Sequence, residues 1–103
     1  MGKGKVAAQV GHAAVQATLK SGELRPELLD AWLSTGQKKI CVKAEDANHI
    51  ESIEREANQH QILTSKVYDA GHTQIPSGSL TVLALGPDEE EKLDNLTGKL
   101  KLL

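Results

Sequence analysis

The segment Tyr68-Asp69-Ala70-Gly71-His72-Thr73-Gln74-Ile75-Pro76 places an acid, a permissive glycine and a hydroxyl within five residues, directly after an apolar run. Loops at strand ends, held by a rigid sheet, are where reacting groups usually sit. Asp69 and Thr73 can approach each other across a turn at Gly71, giving a carboxylate able to orient or deprotonate a hydroxyl or a water. The same residues also suit a plain turn whose carboxylate caps backbone N–H groups.

A second candidate stands at Met1-Gly2-Lys3-Gly4-Lys5. Position 7 is Ala rather than the third glycine of G-x-G-x-x-G, and no G-K-[ST] closes a P-loop. What remains is two glycines, two lysines and a helix start, a seat for a phosphate or a developing oxyanion. A frayed, solvated end is the plainer reading. Gln9 and His12 lie three apart and so share one side of the helix. His12 is able to transfer a proton near neutral pH, or to sit satisfied by a carbonyl at a helix–sheet contact. Thr81 suits a strand on propensity alone. Cys41, between Ile40 and Val42, reads as a buried, inert thiol.

These groups belong to a chain of 103 residues with 12 Lys and Arg against 14 Asp and Glu, a single domain spanning 1–103. No run of about 18 apolar residues is present, so no helical membrane segment is expected. Lys3 and Lys5 resemble a signal-peptide n-region, but Gln9, His12 and Gln16 interrupt what should be apolar. The single cysteine excludes an internal disulfide framework and favours a reducing, cytoplasmic location. His12, His49, His60 and His72 are scattered without zinc spacing, and no metal or cofactor is expected. Trp32 and Tyr68 are the only aromatics, too few for a base-stacking platform. Charge is uneven: residues 1–43 carry seven basic and three acidic side chains, residues 44–103 five and eleven. A positive face toward an anionic partner is expected from the first part.

The elements that must position these groups follow from periodicity. A helix is predicted from Lys5 to Lys20, burying Val6, Val10, Ala13, Ala14 and Ala17, with Gly22 as its stop. Pro26 opens a second helix through Leu28, Leu29, Trp32 and Leu33. Strands are predicted at Lys39–Ala44, Ile62–Tyr68 and Leu80–Leu85, the last buried on both faces. Asp46 caps a third helix bearing Ile50, Ile53 and Ala57, and Gly86-Pro87 with three glutamates opens a fourth. This alternation predicts an α/β layer fold.

Five blocks, MGKGKVAAQVGHAAV at 1–15, GQKKICVK at 36–43, DAGHTQIPSG at 69–78, LTVLALGP at 80–87 and LTGKLKLL at 96–103, together resemble the type II peptidyl-tRNA hydrolase family. The helices at 23–35 and 45–60 match it only in pattern. The resemblance implies an α/β fold with a single-layer, mixed, four-stranded sheet and helices on both faces, often assembled as a homodimer. It also implies metal-free cleavage of the ester joining a peptide to tRNA, which frees tRNA for reuse. Family members carry an apolar strand before the M-G-K-G-K motif. That strand has no counterpart here, so three strands and an open sheet edge are expected.

By resemblance the catalytic positions are Lys3, Asp69, Thr73 and Thr81. Substrate contacts are expected from Lys5, Gln9, His12, Gly71 and Lys43, with Lys20, Lys38 and Lys39 adding to a phosphate-binding face. In this reading Asp69, oriented by Thr73, activates water, Lys3 steadies the oxyanion or the leaving ribose oxygen, and Thr81 holds the loop or the substrate. Another assignment gives proton transfer to His12. The rival reading is a non-catalytic α/β module that binds RNA or protein.

Overall fold

The structure, a computed structural model, describes residues 2–69 and 78–103. Helix α1 spans Lys3–Leu24, α2 Pro26–Ser34, α3 Ala47–Gln59 and α4 Glu90–Thr97, and two strands, β1 Thr64–Tyr68 and β2 Leu80–Leu85, lie between α3 and α4. The α/β class is the expected one.

Local chemistry explains the boundaries. Pro26 occupies the start of α2, where its missing N–H costs nothing. Asp46 caps α3: its Oδ1 accepts from the His49 N–H at 2.8 Å. Glu90 and Glu91 sit in the first turn of α4, where the helix dipole favours acids.

The strands pair antiparallel, with Ser65 opposite Ala84, Lys66 opposite Leu83 and Val67 opposite Val82. The register then slips, so that Tyr68 faces Leu80 and Thr81 is the extra residue of a β-bulge. Both α1 and α3 pack against both strands. Lys66 forms an ion pair with Glu54 of α3 at 3.0 Å, which assigns its face of β1 to α3. Ser65 and Val67, both buried, alternate to the opposite face, the one α1 covers. Helices therefore lie on both faces of the ribbon. The interior is built from small groups, Ala13, Ala17 and Ala57, with Ile62, Val67 and Leu80.

Several expectations change. Helix α1 runs through Gly22, the expected stop, and ends at Leu24, and among the described residues the sheet has two strands where three were expected. Lys39–Ala44 is extended but is not a strand; it makes one isolated antiparallel bridge, Val42 with Leu102. Alternation supplies amphipathicity, but a strand also needs a neighbour along its length. Among the described residues the backbone–backbone bonds of this segment go only to the short tail, Lys43 N–H to the Lys101 carbonyl and Leu103 N–H to the Cys41 carbonyl. For the same reason Cys41 is exposed, not buried, and Ile40 is 60 % exposed. In β2 only Leu80 is buried; Thr81 to Leu85 are half-buried, because no element covers both faces completely.

The 38–43 segment is anchored at its start. The Trp32 indole N–H donates to the Lys38 carbonyl at 2.8 Å, and the Lys38 ammonium bonds Glu90 at the start of α4. That hydrogen bond, reinforced by the lysine's charge, holds the Glu90 carboxyl below the ordinary 4.5 and raises Lys38. With a lowered folded value, the pair's contribution is complete above pH 4.5 and fades as pH falls through that lowered value. In Lys38→Gln the carbon-detected NMR midpoint of Glu90 should move up toward 4.5; an unmoved midpoint would show the pair is not formed in solution.

Candidate functional site

The first turn of α1 meets the end of β1. Gly2 is the N-cap and offers no side chain to the free N–H groups, and no acid stands in the first turn. Lys3 and Lys5 stand there instead. Cations at a helix N-terminus oppose the dipole, so this arrangement works against helix stability while concentrating positive potential. A carboxylate answers it: the Lys5 Nζ lies 2.8 Å from Asp69 Oδ2. The two side chains are 48 % and 37 % exposed, which makes the pair a weak source of stability and leaves it open to an incoming molecule.

Four residues beyond Lys5, one turn along the same face, is Gln9. It is buried, and its Nε2 donates to the Thr81 Oγ1 at 3.2 Å and to the Tyr68 carbonyl at 3.4 Å. Thr81 in turn donates its hydroxyl proton to the Val67 carbonyl at 3.0 Å. The bulge aims the threonine at α1, so that one amide ties helix, bulge and strand end together. Asp69 follows immediately, and its N–H donates to the Ser79 carbonyl at 2.8 Å, which closes the base of the 69–79 connection. Gly78 is needed there: a Cβ at that position would collide with the Asp69 carbonyl oxygen.

The structure thus brings together Lys5, Gln9, Asp69 and Thr81 from three elements. Lys3 is the exposed first residue of α1; two positions from Lys5, it does not share that residue's side. His12 is exposed and makes no hydrogen bond among the described residues, so it is not a histidine satisfied by a carbonyl. Gly71 and Thr73 lie outside the described residues. Lys43 is exposed at the isolated bridge. The other expected phosphate ligands are engaged internally. Lys20 donates to the Thr64 carbonyl at 2.6 Å, Lys38 bonds Glu90, and Lys39 donates to the Gln37 carbonyl while lying 5.0 Å from the Trp32 ring centroid.

Sequence reading missed the Lys5–Asp69 pair and the Gln9–Thr81 link. The signal was present in the spacing: Gln9, Ala13, Ala17 and Ser21 are the buried residues of α1, a strict four-residue stripe that points back to Lys5. Thr81→Val tests the link. Valine keeps the shape and strand propensity but leaves a buried Gln9 N–H without its acceptor, which costs about 1–3 kcal/mol. The urea midpoint should fall accordingly; an unchanged midpoint would mean the amide finds water instead.

Chemically, an exposed carboxylate bonded to an ammonium at a cationic helix start can hold a water, accept its proton, and steady an oxyanion formed beside it. The family model described as Peptidyl-tRNA hydrolase PTH2 matches residues 1–103. A peptidyl-tRNA hydrolase of Thermoplasma acidophilum is 48 % identical over 103 residues, covering 100 % of this chain and 88 % of its own length. One of Methanocaldococcus jannaschii is 45 % identical over 103 residues, covering 100 % of this chain and 90 % of its own. A family match over the whole chain, with relatives 45–48 % identical along all of it, establishes that this chain belongs to the peptidyl-tRNA hydrolase PTH2 family.

Proposed function

We propose that the chain hydrolyses the ester linking a peptide, or another N-blocked aminoacyl group, to the 3′ ribose of tRNA, releasing free tRNA. The observation that carries this reading is the Lys5–Asp69 pair at the cationic start of α1, in a chain of this family. Asp69 accepts a proton from water as its oxygen bonds to the ester carbon. The carbonyl oxygen becomes an oxyanion, which the Lys5 ammonium, already within reach of the carboxylate, stabilises. Collapse breaks the bond to the ribose oxygen, which leaves carrying the proton. Thr73, assigned by the resemblance, orients the carboxylate. Gln9 and Thr81 hold the strand end that presents it, and Lys3 and His12, exposed on α1, face the arriving anionic substrate.

The cytoplasm is the proposed location. A homodimer is the proposed assembled form; the exposed Val15, Leu19 and Leu33 support it, since apolar groups of this size favour cover. The test of the activity is release of the acyl group from N-acetyl-aminoacyl-tRNA beside the unblocked aminoacyl-tRNA. Cleavage of the blocked form alone is expected. Equal cleavage of both would make the protein a general ester hydrolase.

A further inference from the structure

The 36–43 segment and the 98–103 tail contain five lysines and no acid, and the structure sets them side by side. Val42 pairs with Leu102, Lys43 N–H bonds the Lys101 carbonyl at 2.8 Å, and Leu103 N–H bonds the Cys41 carbonyl at 3.0 Å. Lys43 and Lys101 flank that bridge and stand opposite each other by its antiparallel register, a position in which cross-strand Cβ atoms generally lie about 4.5–5.5 Å apart. Like charges in that position destabilise the pairing unless something answers them.

Nothing in the described protein does. Lys5, Lys38, Lys66 and Lys92 each have a carboxylate, whereas Lys43, Lys99 and Lys101 have none among the described residues. Both members of the cross-strand pair are exposed. They are also supplied by two segments tied to each other by backbone bonds, so the bridge fixes the spacing of the backbones from which the two side chains extend. A pair of unanswered ammonium groups rooted side by side is suited to oxygens of a phosphodiester backbone.

We propose that Lys43 and Lys101 form a phosphate-binding clamp that holds the tRNA backbone apart from the reacting end, a role resting on the hydrolase reading above. It contributes affinity and no chemistry.

The experiment compares the wild-type chain with the double substitution Lys43→Gln/Lys101→Gln on two substrates, N-acetyl-aminoacyl-tRNA and N-acetyl-aminoacyl-adenosine, the latter lacking phosphates. Binding of deacylated tRNA is measured alongside over a range of salt. For the variant, KM for the tRNA substrate should rise roughly tenfold at low salt, and the salt slope of tRNA binding should become shallower by about 1.4–1.8, two contacts at 0.7–0.9 each. Turnover of the adenosine substrate should stay at the wild-type level. As a control for lost charge, Lys92→Gln removes an ammonium already bonded to Asp88 and should leave the slope unchanged.

An unchanged slope in the double variant overturns the clamp, and so does an equal loss on both substrates, which would mark a structural role. A wild-type chain that cleaves neither substrate, while the variant still loses its share of the slope, overturns the hydrolase reading and leaves the phosphate site standing.

Discussion

Asp69→Asn should lower kcat on N-acetyl-aminoacyl-tRNA by about 10²–10⁴-fold, the range a positioned general base supplies. Asparagine has nearly the same shape and cannot take the water's proton. The backbone role of the residue, its N–H on the Ser79 carbonyl, does not depend on the side chain, so the base of the connection remains closed. The lost ion pair was about half-exposed, which limits the structural consequence. Affinity for deacylated tRNA should therefore hold, or rise slightly as a negative charge leaves the surface proposed to meet phosphates. Single-turnover hydrolysis combined with a binding measurement separates the two effects. Hydrolysis at the full rate would remove the carboxylate from the mechanism, while a matched loss of binding would make it a substrate contact.

What the sequence made legible, and what it hid, divides along a physical line. Pro26 and Asp46 announce the starts of α2 and α3 because their effect is local: a fixed φ in one case, a side-chain acceptor for a free N–H in the other. The place of Asp69 was equally visible, as an acid at the end of an apolar strand. Non-local facts were not. Lys39–Ala44 has the alternation of a strand, yet its fate depends on what lies beside it, and only the tail at 101–103 does among the described residues. The misplaced burial of Cys41 follows from that one error.

The face of α1 shows a second kind of concealment. An apolar stripe through Val6, Val10, Ala13, Ala14 and Ala17 was the natural reading, but the buried line runs through Gln9, Ala13, Ala17 and Ser21. Two of those four are polar, and each is buried because a bond satisfies it. Gln9 reaches Thr81 and Tyr68, and Ser21 donates to the Thr18 carbonyl at 3.0 Å. Hydrophobicity ranks such residues as solvent-facing, so the helix phase was read slightly off. With the phase goes the identity of the lysine that turns toward the sheet. Local rules break where a site is built, and α1 breaks two of them at one end: cations on the wrong pole of its dipole and a buried amide in its stripe.

That phase carries the second large prediction. Lys5→Met should lower kcat by about 10²–10³-fold, the loss seen when one preorganised donor to a developing oxyanion is removed. Methionine retains the unbranched stem and its helix propensity, so the substitution tests the ammonium rather than the helix. Removing a cation from the first turn also relieves an unfavourable dipole interaction, and the variant should unfold no more easily than the wild type. Lys3→Met is the matched comparison, removing the same charge from the same turn but from the side away from Asp69. It should act on KM and on the salt dependence, with kcat nearly unchanged, if Lys3 meets phosphates. If instead Lys3→Met carries the kcat loss and Lys5→Met does not, the oxyanion role passes to Lys3, and the Lys5–Asp69 bond becomes a brace that holds the carboxylate for it.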